Sequence, residues 1–382
     1  MKQEVVKSLA DVGAAEWNQL TAGRDPFLRH EFLYALESTG CVGAHAGWAA
    51  RHVLIRDADT LVAAAPAYLK QHSYGEYVFD WSWAQAYARH GIAYYPKLVL
   101  AVPFSPVTGP RLLIKDGGNR TELGRLLLDA CEQQAAQDGA SSIHCLFPSA
   151  TDLPLLVERG WMRRDGFQFH WHNQGYATFD TFLATMTARK RKKIKHERRS
   201  VQAAGVQIEI LEGSQAQPHH WEALYASYSA TIEKHGAIAY LNPGFFEAIR
   251  ATLGQRVLLV LAHRENRYIA AAINLLGDNV LYGRYWGQLE TVEYLHFEAC
   301  YYAPIEWCIN NGIQRFEAGA QGEHKLSRGL MPTATYSAHW IRDTEFRRAI
   351  DDFLNRERQG LGHYMDDLCA HTPFRQPDLE LP

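Results

Sequence analysis

The sequence predicts an α/β (α+β) chain of two tandem folds, each a mixed sheet with flanking helices. Strand hairpins alternate with helices whose leucines recur at helical spacing. The pattern of the first half returns in the second. At 382 residues the chain is also too long for one ordinary core and suits two domains of about 150–200 residues each.

In chain order, PFLRHEFLYALESTG (26–40) reads as a helix. RHVLIRDADTLVAAAPAYLK (51–70) reads as two strands around the turn Asp57-Ala58-Asp59. Residues 95–103 and 109–115 read as strands, and Asp116-Gly117-Gly118-Asn119 as a turn. TELGRLLLDACEQQAAQDG (121–139) is a helix closed by glycine, SSIHCLF (141–147) a buried strand, and 160–171 a closing strand. The second half repeats this plan. Val62-Ala63-Ala64-Ala65 matches Ile269-Ala270-Ala271-Ala272 at an offset of 207. DACEQQAAQDGASSIHCLF matches APIEWCINNGIQRFEAGA at an offset of 173, aligning Gly139 with Gly312 and Ile143 with Phe316. The first half therefore holds extra residues, including YGEYVFDWSWAQAYARHG (74–91). The boundary falls near 173–178, where Asn173-Gln174-Gly175 breaks the periodicity, giving domains 1–175 and 176–382.

Composition excludes several classes. Hydrophobic content of 47% with 21% charge is globular rather than disordered. No apolar run approaches the ~20 residues that span a bilayer, and the N-terminus has no signal-peptide core. The six cysteines form neither a CxxC pair nor a zinc spacing, and Cys131 and Cys308 sit in apolar helical patterns. The expectation is a cytoplasmic protein with reduced thiols, no metal and no membrane span. A nucleophile elbow, a P-loop, a Rossmann fingerprint and HExxH are all absent, so hydrolase, kinase and dehydrogenase readings lack support.

Charge is uneven. The chain carries a net −3, yet Arg189–Arg199 holds eight Lys or Arg beside His196 and one acid, Glu197. FDTFLATMTARKRKKIKHERRSVQAAG (179–205) reads as one helix anchored by Phe182, Met186, Ile194 and Val201. Like charges one turn apart repel, so the run suits either a solvated face or a bound anion. On the second reading Arg189, Lys192, Lys193 and His196 bind phosphate, and the run begins just past the inferred boundary, where clefts form.

FDWSWAQAYARHG, PFSPVTGPRL, ARKRKKIKHERR and EYLHFEACYYAPIEWCINNGIQRFEAGAQGEHKLSRGL together resemble the Fem-like, GNAT-related "peptidoglycan biosynthesis" proteins of bacteria. The resemblance covers nearly the whole chain. It implies two tandem GNAT-type folds and N-acyl transfer to an amine. Fem relatives take an aminoacyl group from aminoacyl-tRNA, and GNAT relatives take an acyl group from acyl-CoA. The GNAT pyrophosphate signature, Gln/Arg-x-x-Gly-x-Gly/Ala, matches nowhere, and no long heptad arm is present. The donor therefore stays open between acyl-CoA and aminoacyl-tRNA.

Acyl transfer to an amine needs a base, oxyanion donors and an acid for the leaving group. The second half offers His296 and Glu298 near a helix start, Glu317 on a strand, and His324, Lys325 and Arg328 after the glycine turn 319–322. Glu317 or His324 is the expected base, with His296 and Glu298 as further catalytic candidates and Lys325 and Arg328 as anion binders. Glu317 paired to Arg315 and a plain loop role for His324 explain the same residues. Asp80 and Trp81 suit a cationic amine held against rings as well as they suit core packing, and Arg111 suits a carboxylate or phosphate. Tyr285 and Trp286 suit a cleft wall. His170 and His172 share one strand face without a third metal ligand at a telling spacing. The first half has His144 where the second has Glu317, and no glycine turn follows it, so it reads as a substrate platform. The leading expectation is an N-acyltransferase acting on a small-molecule or cell-wall precursor amine, with tRNA as a possible partner. The alternatives are an acyl-CoA-dependent N-acetyltransferase of small metabolites and a non-catalytic RNA-binding protein.

Overall fold

The computed structural model describes residues 1–234, 236–320 and 322–375. The chain forms two compact units. The first comprises Met1–Gly166, Tyr240–Phe245 and Ala334–Gly362; the second comprises Phe167–Ala239, Phe246–Thr333 and His363–Pro382. The expected boundary near 175 lies close to the transition at 166/167. The stretch 334–362 departs from the expected contiguous halves, because the strand from Ala334 pairs antiparallel with Ser142–Leu146, from Ser337↔Leu146 to Ile341↔Ser142.

The first unit has a small sheet ordered Lys2–Val6, His52–Asp57, Thr60–Ala65, Leu113–Ile114. A second run of strands is ordered Ser142–Leu146, Lys97–Leu100, Ala67–Lys70, Trp48–Ala50. Helix Arg120–Gln137 forms because Asn119 caps it, accepting from Glu122 N at 3.2 Å, and because its apolar residues recur on one face. Leu123, Leu127, Leu128 and Cys131 of that face pack on Val53, Ile55, Ala63, Leu98, Ile143 and Cys145.

The second unit orders Gln207–Glu212, Val257–Arg264, Arg267–Leu276, Val280–Gln288 and Arg315–Glu317, followed by the 170–172 end of strand Met162–His172. Its core gathers Phe169, Trp171, Phe182, Ile194, Leu281, Tyr302, Ile305, Cys308 and Phe316. The single helix expected over 179–205 is two helices, Phe179–Ala184 and Ala188–Ala203. Thr187 turns extended (φ −59°, ψ 149°) and its N–H goes to Pro373 O at 3.0 Å, so a tertiary hydrogen bond interrupts a locally helical sequence.

The repeat is visible in backbone detail. Val53 faces Ala65 in the first hairpin and Val260 faces Ala272 in the second. The register slips at Ile55/Arg56 in one and at Ala262/His263 in the other, the same 207 residues apart. Both connecting helices end alike: Gly139 (φ 67°) and Gly312 (φ 70°) take the left-handed conformation, and the next residue donates back, Ala140 N to Ala135 O and Ile313 N to Cys308 O. Ile143 then pairs parallel with Leu98, and Phe316 with Leu281.

Helix Pro218–Lys234 lies so close to strand Val280–Gln288 that a Cβ on Gly287 would sit 1.7 Å from Ser227 O. Since that obstacle is backbone, Gly287→Ala is expected to lower stability by about 3 kcal/mol or more, the upper end for overpacking. A denaturant midpoint unchanged from wild type would show that the helix yields instead.

Candidate functional site

In the second unit the parallel strands Val280–Gln288 and Arg315–Glu317 pair over three residues, from Val280↔Arg315 to Tyr282↔Glu317. The longer strand then continues through Gly283 to Gln288, while the other turns into the loop that begins at Gly319 (φ 83°). Carboxyl ends of parallel strands that part in this way are the usual place for a ligand crevice. Three segments close around it: the Tyr294–Tyr302 stretch, the Gly322–Gly329 loop and the start of the basic helix.

Arg328 is the hub of the loop. It is 3% exposed, lies 3.3 Å above the Phe297 ring, and donates to both oxygens of buried Glu197 at 3.0 Å. Tyr302 also donates to Glu197, and Arg328 donates a further bond to His324 O at 2.8 Å. Glu197, the lone acid of the basic run, thus faces inward and fixes this arginine, with Lys193 at 3.8 Å on its outer side.

His324 follows Gly322 (φ 116°), where a Cβ would strike its ring at 2.5 Å. Its exposed ring has Nε2 3.0 Å from the Tyr301 hydroxyl and packs by Phe297 and His296. Burial, then Arg328 and Lys325, hold its pKa below the ordinary value. His296 rests between Trp286 and Tyr301, and burial pushes it down to about 4, helped by His324, Lys325 and Arg328. Both imidazoles are therefore neutral at pH 7, the form that accepts a proton. Buried Lys325 donates to Gly319 O at 2.8 Å, and burial pushes its amine down to about 8.

Glu317 is buried, 3.0 Å from Arg315 Nε and 3.8 Å from His170 Nε2. Burial, Arg315, His172 and Lys325 push His170 down to about 3. Two neighbours of the expected set turn elsewhere. Glu298, inside a π-helical turn (Glu298–Tyr302), forms a forked ion pair with Arg198 at 2.9–3.2 Å, which Glu306 shares at 2.7 Å. Tyr285 packs on Tyr228, on the strand face opposite Trp286.

The basic helix divides by partner. Among the described residues, Lys193, Lys195 and Arg198 lie within 4.0 Å of a carboxylate. Arg189, Lys190, Arg191 and Lys192 fill the first turn, where the helix dipole is already positive and Thr187 offers no side-chain cap. Lys190 is half-buried, and its amine is lowered by burial, Lys193, Arg189 and Arg328, which places this turn beside the Arg328 loop. Arg189, Lys192, Lys193 and His196 are exposed, and His196 stands by the Tyr294 ring.

The remaining expected residues belong to the first unit. Asp80 is buried and accepts from Lys97 and from Tyr94 at 2.6 Å. Trp81 is 37% exposed and edges onto Tyr74. Arg111 is fully buried and donates to the carbonyls of Leu146, Val107 and Pro110, so its fork fastens a loop from within. Sequence reasoning missed Tyr301, Lys190 and the inward Glu197–Arg328 pair.

Among the described residues no helix is long and apolar enough to cross a membrane, and no group of three His, Cys, Asp or Glu could hold a metal ion. No curated protein matches the chain. Its fold is similar to the crystal structure of FemX, at 12% identity and TM-score 0.54, covering 92% of this chain and 100% of that one. It is similar also to L-PGS from Bacillus licheniformis, at 11% identity and TM-score 0.53, covering 94% and 97%. A tandem GNAT protein from the clavulanic acid biosynthesis pathway aligns at 10% identity and TM-score 0.46, covering 89% and 98%. The FemAB-like family profile, described by peptidoglycan biosynthesis/recognition, matches residues 8–376. This match spans nearly the whole sequence, and the chain belongs to the FemAB-like family.

Proposed function

We propose that this protein is a transferase that moves an acyl or aminoacyl group onto the amine of a cell-wall precursor. One observation carries the reading: neutral imidazoles lie beside a four-cation helix turn at the mouth of parting parallel strands. His324 takes the proton of the attacking amine, oriented through Tyr301. Lys325, whose amine donates to Gly319 O, is the donor for the oxyanion that develops on the reacting carbonyl. Arg189, Lys190, Lys192 and Lys193 hold the phosphates of the donor. Family membership supports the cell-wall acceptor. The donor is a phosphate-bearing carrier, aminoacyl-tRNA or acyl-CoA, working in the cytoplasm.

A thermal-shift titration at fixed salt with acyl-CoA beside bulk aminoacylated tRNA tests this. A ligand at about 100 times its Kd raises stability by about 2.7 kcal/mol. Radiolabelled transfer to an amine-bearing muropeptide precursor then reports turnover. Neither stabilisation nor transfer with either donor would overturn the proposal, and RNA binding without transfer would leave a binding protein.

Arg189→Ala with Lys192→Ala is expected to weaken donor binding and to lower the salt slope by about 2, one for each phosphate left without its cation. An unaltered slope of log Kd against log salt would move the phosphates away from this turn.

A further inference from the structure

In the first unit four charged side chains are buried together beneath residues 71–80. Lys70 and Lys97 lie directly opposite on paired antiparallel strands, where like charges repel. Glu76 and Asp80 descend onto them, and the four side chains are 0–2% exposed. The two lysines are served unequally. Lys97 Nζ donates to Ser73 Oγ at 2.7 Å, to Glu76 Oε2 at 2.8 Å and to Asp80. Lys70 Nζ stands 3.7 Å over the Trp48 ring, donates to Tyr74 O at 3.1 Å, and lies 3.4 Å from His72 Nδ1. It approaches Glu76 Oε1 only to 4.0 Å, and that oxygen accepts no hydrogen bond from the described residues. The covering segment turns at Gly75 (φ 80°), holds Tyr77 in the left-handed region (φ 60°), and presents the exposed rings of Tyr74 and Phe79.

We infer that residues 71–80 form a proton-released clasp: a proton taken up by Lys70 opens the segment, and its loss holds the segment shut. Closed, the clasp keeps this amine out of water beside a second ammonium, with one long contact to an acid in return. Open, the amine regains water. Burial, outweighing Glu76 and reinforced by Lys97, pushes Lys70 down to about 7 from its ordinary 10.5. A base whose folded pKa lies below its unfolded value gains stability as pH rises between the two, so the closed form strengthens from neutrality upward.

The surrounding groups leave that window to Lys70. Glu76, pushed up to about 7 by burial, is ionised in both states above it. His72 and His144, lowered chiefly by burial, are neutral throughout. Tyr94 and Tyr95, raised, keep their protons, while Lys97 stays charged and Asp80 ionised.

Hydrogen exchange of peptides covering 71–80, corrected for the intrinsic rise of exchange with pH, tests the clasp. From about pH 7.5 to about 9 the opening constant of the wild type should fall about tenfold per unit, the slope of one proton. Lys70→Met should remove the slope and leave the segment as protected as the alkaline wild type. Glu76→Gln should keep the slope and extend it below pH 7, since an amine without its acid discharges at lower pH while the open form titrates as before. A flat wild-type profile overturns the inference whether or not the variants fold. A slope that survives Lys70→Met overturns it equally.

Discussion

His324→Ala should cut turnover by about 10²–10⁴-fold, the usual worth of a general base, while the melting temperature stays near that of the wild type. The ring is exposed, and its side-chain bond is to one hydroxyl, so the fold gives up little packing. The pH profile carries the same assignment. Burial, Arg328 and Lys325 keep the imidazole below its ordinary value. The basic form therefore persists into mildly acid solution, and kcat/KM should fall on the acid side only below the ordinary histidine range. Tyr301→Phe should keep that acid limb but lower the rate, because it removes the orienting hydroxyl and not the base. A profile without an acid limb, or turnover untouched in His324→Ala, would transfer the base role to Glu317 or His296.

Glu197→Ala should be the most damaging single change to stability in the second unit. It removes both carboxylate oxygens that accept from Arg328 and leaves a guanidinium 3% exposed without that counter-charge. Breaking one side of such a pair costs about 3–5 kcal/mol. The Tyr302 hydroxyl loses its acceptor as well. The double change Glu197→Leu with Arg328→Met should recover much of that stability, because an apolar pair of similar volume needs no counter-charge. Denaturant curves on the single and double variants measure both. Equal midpoints for wild type and Glu197→Ala would mean that the pair holds the loop without supporting the fold.

Much of the fold could be read because it rests on local rules applied twice. A β-bulge and a helix-ending glycine are set by a few adjacent residues, and the matches Val62–Ala65 to Ile269–Ala272 and Gly139 to Gly312 mark them. The break at Thr187 was not legible, since Thr-Met-Thr is tolerated in a helix and the interrupting partner, Pro373, lies far along the chain. Nor was the placing of 334–362, which depends on His339 meeting His144 and on Phe346, Ile350 and Leu354 packing by Trp83 and Tyr87. Within the candidate site the sequence named candidate residues, and their side-chain partners were not legible in it. Glu298 resembles His296 in position but goes to Arg198, while Arg315 meets Glu317, one of the two readings its spacing allowed. Lys70 and Lys97 passed as strand residues because a lysine at a strand end is ordinary, and only their facing register brings them together.

The return of 334–362 to the first unit has a consequence during synthesis. Strand Ser142–Leu146 leaves the ribosome early, but its partner Ser337–Ile341 lies roughly 190 residues downstream, about 10–40 s later at ~5–20 residues per second. Until then one edge of that strand is open and His144 lacks His339, its partner at 2.6 Å. An open edge of this kind invites pairing with another chain. A fragment ending at the first boundary lacks Ser337–Ile341 and keeps the same open edge for good.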